Sequence, residues 1–361
     1  MNPYLAKTYS FDLPEELIAS EPLKTRDTSR LLVIRKKSRT IEHASIQDLP
    51  QILDSNYSVV VNNTLVMKAR LLGQRAETGG RVEFFLLKKK GECLWSGLMK
   101  TSFKAKEGIK LVFPKPGGGE VQAEVVGRED LPEGAMMTAR FSEDPVEAGL
   151  GVVPLPPYIM AKRKEKDLSP TELEDYNTVF ASKTGSVAAP TAGRHFTPDL
   201  IQKLKAKGIH WNEITLHVGM GTFKPVQTED IREHTMHAET TDIPETVAES
   251  LNRDKRDGRK ILSIGTTTTR TLEGRAKQTA HGFELAPGVE DVNLFIHPGS
   301  DFEFKFVDAV LTNFHLPEST LFMMIATFLG DTDFLQAIYQ EAIAQKYRFY
   351  SYGDAMLILD T

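Results

Sequence analysis

Five of the nine histidines stand in short polar stretches, and each stretch carries other groups able to do chemistry. His195 closes PTAGRHF (190–196) beside Arg194 and Phe196, and His217 precedes GMGTF (219–223). His234 and His237 fall in HTMHAE (234–239), which ends on Glu239, and His315 sits in NFHLP (313–317). GTTTTR (265–270) has no histidine but sets four threonines after a glycine. An imidazole titrates near neutrality and can both accept and return a proton. Threonine hydroxyls and helix N-termini offer donors to an anion. Phenylalanine offers a flat face to a ring or a cation. The combination suits a ligand with a carboxylate and a ring. Thr191, Ala192, Gly193, Gly219, Gly221, Thr222 and Asn313 are its nominated contacts, the small residues because they let a ligand approach the backbone.

HTMHAE has a competing reading. On a helix His234 and His237 share a face; on a strand His237 and Glu239 do. Either resembles half a metal site, but no third and fourth ligand has the expected spacing, so an acid–base pair or a substrate clamp is preferred. The single cysteine, Cys93, can form no internal disulfide. Beside Trp95 it reads as a small buried hydrophobe.

The elements that must position these groups follow from pattern. RLLVIRK and YSVVVNN read as strands, and FDLPEELIA as a short helix with Pro14 in its first turn and Asp12 near the cap. From about residue 70 to 148 the chain is β-rich, glycine-punctuated and lacks a helical stripe, as a small barrel or sandwich would be. From about 185 strands and helices alternate. GSVAA, EITLHVG, KILSIG, VDAVLT and AMLILD read as strands. Thr197–Pro198, IPETVAESLNRDKRDG, TTTTRTLEGRAKQ, a segment from about Pro317 to Phe328, and DTDFLQAIYQEAIAQKY open or form helices. This predicts an α/β fold with a mostly parallel sheet flanked by helices, residues 1–68 and 150–361, interrupted by an inserted small β-barrel domain, residues 69–149. PTAGRHF, GMGTF, GTTTTR and NFHLP each follow a predicted strand, so parallel strands gather all four loops at one sheet edge, where α/β proteins bind ligands.

The chain has 361 residues and 44 Lys and Arg against 49 Asp and Glu, a net charge of −5. That disfavours a protein coated for nucleic acid but leaves room for one basic face. The longest apolar run, LFMMIATFL (321–329), is too short for the ~20 residues of a membrane span and reads as a buried helix. A soluble, cytoplasmic monomer with no membrane contact is expected.

FDLPEELIA, RDTSRLL, YNTVFA, GSVAAPTAGRHF, TLHVGMGTFKPV, HTMHAE, GTTTTRTLE, TNFHLPESTLFMM and YSYGDAMLIL are together similar, in order and nearly end to end, to the S-adenosylmethionine:tRNA ribosyltransferase-isomerases. The resemblance implies a step of queuosine biosynthesis. The ribosyl part of S-adenosylmethionine, a co-substrate rather than a cofactor, moves to 7-aminomethyl-7-deazaguanine at the tRNA wobble position, giving epoxyqueuosine. Adenine and methionine depart and no metal is needed. A base removes a hydrogen from the 5′ carbon acidified by the sulfonium, the amine attacks the opened sugar, and a new ring closes. His195 or His217 is then expected as the base, with His237, Glu239 and His315 as the pool for the acid and orienting partners. Phe196, Phe223 and Tyr176 would face the sulfonium or adenine. Thr266, Thr267 and Thr268 would hold the methionine carboxylate, with Arg270 and Glu273 as anchors. Arg26, Arg30, Lys162, Arg163 and Lys164 would contact tRNA, and Arg194 would reach a phosphate.

The chain departs from the family pattern at Leu65 and Met67–Lys68, where arginine and isoleucine-proline are expected. It departs again at Arg194 (leucine) and His297 (tyrosine). Competing readings are a non-catalytic RNA-binding module, a metal-dependent hydrolase built on His234, His237 and Glu239, and a methyltransferase, whose glycine-rich first loop is missing.

Overall fold

The computed structural model describes residues 2–131, 134–163, 171–219 and 226–361. The chain opens with β1 (Arg30–Arg35), β2 (Thr40–Ser45), the short α1 (Leu49–Ile52), β3 (Tyr57–Asn62) and β4 (Thr64–Val66). Six strands follow: β5 (Arg70–Arg75), β6 (Arg81–Gly91), β7 (Leu94–Thr101), β8 (Lys110–Pro114), β9 (Glu120–Leu131) and β10 (Gly134–Phe141). They close on one another in the order β10-β7-β6-β5-β8-β9, all antiparallel. Closure leaves no edge strand to aggregate. Alternation explains the interior: Val82, Phe84 and Leu86 on β6 and Leu111 and Phe113 on β8 point inward, with Phe141 from β10.

The chain then runs through α2 (Pro157–Lys162), α3 (Glu172–Tyr176), β11 (Lys183–Ser186), α4 (Pro198–Ala206), β12 (His210–Leu216), β13 (Glu239–Ile243), α5 (Glu245–Arg256), β14 (Lys260–Ile264) and α6 (Thr266–Arg275). It ends with β15 (Ala276–Thr279), β16 (Gly282–Leu285), β17 (Gly288–Val292), β18 (Ala309–Asn313), α7 (Thr320–Leu329), α8 (Thr332–Ala344) and β19 (Ala355–Leu359). Nine strands form one sheet, β17-β13-β12-β3-β14-β18-β19-β1-β2.

The expectation of a mostly parallel sheet is corrected: the sheet is mixed, with four parallel and four antiparallel neighbour pairs. The four consecutive central strands β12-β3-β14-β18 are parallel. Antiparallel partners flank them at both sides: β13 and then the exposed GVEDV of β17 on one, and the apolar β19 on the other. β11 does not join this sheet but pairs with β4 in a separate parallel ribbon. Two apolar layers cover the faces. One holds α7, α8 and the aromatic group Tyr9, Phe314, Phe322, Tyr339 and Phe349, and the other holds Phe196, Leu200 and Leu204 of the α4 side.

Local signals behaved as their chemistry requires. Thr197 Oγ1 accepts from Leu200 N–H at 3.2 Å and caps α4, whose first residue is Pro198. The LFMMIATFL run is α7, buried throughout apart from Thr327. Among the described residues no single helix is long and apolar enough to cross a membrane. FDLPEELIA makes only a 3-10 turn at Glu15–Leu17, entered through Pro14 rather than Asp12.

Candidate active site

β12, β14 and β18 are parallel, so the chain leaves each of them at the same sheet edge. A cleft of about 660 Å³, its open mouth included, lies there. Its walls come from Ala189–Ala192, Val218, Gly265–Thr267, Thr312–Leu316, Ser319 and Leu321, together with Tyr158, Tyr350 and Ser351. PTAGRHF, GTTTTR and NFHLP therefore meet in one place, and the strand before GMGTF contributes Val218. Gly221, Thr222 and Phe223 lie outside the described residues.

The turn into α6 explains why a glycine precedes the threonines. Gly265 has φ +88, which a side chain rarely tolerates, and its N–H donates to Leu311 O at 2.7 Å. This turn brings the α6 N-terminus, with its unpaired N–H groups and positive partial charge, to the cleft wall. The four threonines divide. Thr266 and Thr267 line the cleft, whereas Thr268 Oγ1 donates to Ile264 O (2.7 Å) and Thr269 Oγ1 to Gly265 O (3.1 Å). Thr268, nominated for the carboxylate, is thus turned back onto its own helix. The α7 N-terminus reaches the same cleft through its cap, Ser319, whose Oγ accepts from Phe322 N–H at 3.2 Å.

Of the nominated histidines only His315 lines the cleft. Its Nε2 lies 3.1 Å from Thr312 Oγ1, and burial drives its pKa down to about 3, so the ring is neutral near pH 7. Either atom can be the donor in that contact; in the tautomer that gives Nε2–H to Thr312, Nδ1 keeps a lone pair for a proton. His195 lies behind the wall. Asn313 Nδ2 donates to its Nε2 at 3.1 Å, which puts the ring hydrogen on Nδ1, 2.9 Å from Ser29 Oγ. Burial, helped by the nearby Arg194 charge, holds it at about 3 too. Thr191 Oγ1 donates to Asn313 Oδ1 at 3.0 Å, so His195 and Thr191 together fix that amide at the cleft wall.

His217 points the other way. Just past the end of β12, Val218 meets the cleft while His217 enters a separate recess with Lys183, Thr215, Thr240, Thr241 and Asp242. There its Nδ1 lies 2.9 Å from Thr64 Oγ1, and burial lowers its pKa. HTMHAE is neither helix nor paired strand up to Ala238: His237 is exposed, away from the cleft walls. Glu239 opens β13, buried, and forms an ion pair with Arg270, while Gly219 N–H donates to its Oε1 at 3.0 Å. Among the described residues no three His, Cys, Asp or Glu side chains are grouped to hold a metal.

Several other nominees serve the fold where they stand. Phe196 is buried edge-on to Trp211 at 5.5 Å, and Tyr176 edge-on to Tyr352 at 6.2 Å; neither lines the cleft. A Cβ on Gly193 would meet Phe180 Cζ at 2.8 Å, so this glycine answers to packing rather than to ligand approach. Glu273 accepts from the N–H groups of Lys305, Phe306 and Val307 at 2.8–3.0 Å, pinning the loop before β18.

The nominated tRNA cations are likewise engaged. Arg26 donates to Asn177 O and Glu174 O, both at 2.6 Å. Arg30 donates to Gln345 O and stacks 3.7 Å over Tyr347. Lys162 donates to Glu15 O at 2.6 Å. Arg163 makes a bidentate pair with Glu172 at 2.8 and 2.9 Å. Lys164 lies outside the described residues. Arg194 is buried, donates to Asp175 O and Ser351 O at 2.8 and 3.0 Å, and covers the Tyr352 ring. It reaches no surface. Sequence reasoning passed over Tyr158, Tyr350 and Ser351, although YSYGD is an aromatic-rich turn ahead of a buried strand.

A mixed α/β sheet with a ligand-sized cleft at its parallel strand ends, interrupted by a closed barrel, defines the class. Within it, the chain belongs to the queuosine biosynthesis protein family, whose profile matches residues 6–358. An S-adenosylmethionine:tRNA ribosyltransferase-isomerase of Clostridioides difficile (strain 630) is 42% identical over 356 residues, 98% of this chain and 99% of that protein. One of Symbiobacterium thermophilum is 43% identical over 354 residues, 97% and 98% of the two. The crystal structure of an S-adenosylmethionine tRNA ribosyltransferase from Thermotoga maritima is similar at TM-score 0.54 and 34% identity, covering 98% of this chain and all of that one.

Proposed function

We propose that this chain transfers and isomerises the ribosyl part of S-adenosylmethionine onto 7-aminomethyl-7-deazaguanine at the wobble position of tRNA, releasing adenine and methionine. The reaction calls for no metal, and we place it in the cytoplasm, in a monomer. The observation that carries the reading is the common cleft: motifs more than a hundred residues apart line one open cavity. The methionine carboxylate fits the α6 N-terminus at Thr266 and Thr267, where unpaired N–H groups favour an anion.

Neutral His315 takes the 5′ hydrogen that the sulfonium acidifies, replacing His195 and His217 in that role. His195 acts one step removed, by orienting Asn313.

We infer that residues 1–68 and 150–361 do the chemistry, while 69–149 grip the tRNA backbone. Residues 69–149 hold thirteen Lys and Arg against twelve Asp and Glu, and the rest of the chain 31 against 37. On the barrel Lys88, Lys90 and Arg140 are exposed. Lys88 pairs in register with Ser96, which faces Thr138, and Leu94 faces both Gly91 and Arg140. At about 4.8 Å per strand, these cations occupy a ledge about 10 Å wide. The barrel also adjoins the cleft: Val187 packs into its core, and Ala189, two residues on, lines the cleft.

The test is direct. With S-adenosylmethionine and tRNA bearing the aminomethyl base, the protein should release free adenine only when both are present. Adenosylhomocysteine instead would mean methyl transfer, and RNA binding without adenine would mean a passive module.

A further inference from the structure

We propose that Tyr158 and Tyr350 form an aromatic corner that recognises the positive charge of the sulfonium, so that the cleft selects S-adenosylmethionine over its neutral thioether relatives. This rests on the reading of the cleft as the S-adenosylmethionine site.

Among the described residues the cleft offers a cation no charged partner. No Asp or Glu lines it among the described residues, and its one imidazole is neutral. Two helix N-termini, those of α6 and α7, reach it with positive partial charge, which draws the carboxylate and repels the sulfonium. With the carboxylate drawn to a helix terminus, the sulfur is left to meet the uncharged part of the lining. That lining includes Tyr158 and Tyr350, with ring centroids 4.9 Å apart and planes at 64°. Two rings at this angle give a cation one face and leave the second ring to close the corner. Burial raises both phenols, Tyr158 to about 12, so they stay protonated and attract through the ring rather than through a phenolate charge.

The corner is built in advance. Tyr350 has φ +72, a left-handed conformation that a bulky side chain rarely adopts. Such strain persists where the surroundings over-determine it, and it gathers at ligand clamps. Here Tyr350 N–H donates to Phe314 O at 3.1 Å, Ser351 N–H to the Tyr158 hydroxyl at 2.9 Å, and Arg194 to Ser351 O at 3.0 Å. The arginine that departs from the family's leucine is one of the three clamps.

The experiment measures dissociation constants of S-adenosylmethionine and S-adenosylhomocysteine for the full chain without tRNA, by calorimetry. Tyr350→Phe should keep the wild-type preference for the sulfonium. Tyr350→Leu should lower it roughly thirtyfold, the size of a desolvated cation–π contact, with S-adenosylhomocysteine binding changed far less. Tyr350→Gly removes the ring while relaxing the backbone, and should lose the same preference; it decides the matter if the leucine variant does not fold. An unchanged preference in the ringless variant overturns the proposal while leaving the cleft reading intact. A wild-type protein that binds neither compound overturns the cleft reading, and the corner with it.

Discussion

The barrel and the sheet edge solve opposite electrostatic problems. The barrel segment is net positive and leaves Lys88, Lys90 and Arg140 exposed in a chain whose overall charge is −5. The cleft beside it is walled by small, hydroxyl and aromatic side chains, with no Lys, Arg, Asp or Glu among the described lining residues. A long polyanion is held by mobile surface cations, which act additively and through salt-sensitive contacts. A reacting zwitterion is better served by fixed dipoles and ring faces in a site that excludes water, where each contact is strong and needs no reorganisation. Loss of grip and loss of chemistry should therefore separate by region.

The largest effect should come from the cleft. His315→Ala should cut adenine release by about 10²–10⁴, with tRNA affinity within about twofold of wild type. A drop in both together would erase the separation. His195→Ala should also lower turnover, but less, because it frees the Asn313 amide rather than removing the base; equal losses would return His195 to the chemical step. Next, replacing Lys88, Lys90 and Arg140 together by alanine should weaken tRNA binding and shrink the salt slope by about 2, with S-adenosylmethionine affinity unchanged. An unaltered slope would move the backbone contact off the barrel.

The buried histidines predict an effect on stability. In the folded chain His195 and His315 sit near 3, against 6.5 unfolded. Below 6.5 the unfolded chain binds protons that the folded chain refuses. The stability is therefore complete above that value and is lost as pH falls toward 3. From about pH 7 to about pH 5, each should cost about 2 kcal/mol in denaturant titrations. His195→Asn should flatten the pH dependence by about half; an unchanged slope would contradict the burial argument. The smallest effect is Thr197→Ala, which removes the α4 cap and should lower stability by about 1 kcal/mol with turnover unaltered.

What could be read in advance follows a physical divide. Strands with dense β-branched runs, β1, β3 and β14, and the capped helices α4 and α5 announce themselves by period and punctuation. So does the barrel segment. The outer antiparallel strand β17 does not: it is nearly all exposed and polar, and a register partner rather than a pattern makes it a strand. α6 stops at Arg275 rather than running to Gln278 because that guanidinium is buried against the carbonyls of Ala286 and Gly288. At the site, glycine–threonine and asparagine–histidine motifs mark the correct loops, because backbone geometry at strand ends is local. Which side chain faces the cavity is decided by alternation and by distant partners. That is why His217 turns away and Phe196 is core. Exposure and pairing are not legible in charge alone: Lys88, Lys90 and Arg140 are exposed, whereas the nominated Arg26, Arg30, Lys162 and Arg163 are tied up by carbonyls and Glu172.

The position of bound S-adenosylmethionine is the most direct test of the cleft. A crystal structure of the complex should place its carboxylate at the N–H groups of Thr266 and Thr267, its sulfur toward Tyr158 and Tyr350, and its 5′ carbon within reach of His315 Nδ1. Density in the recess of His217, Lys183 and Asp242, with the cleft empty, would contradict it.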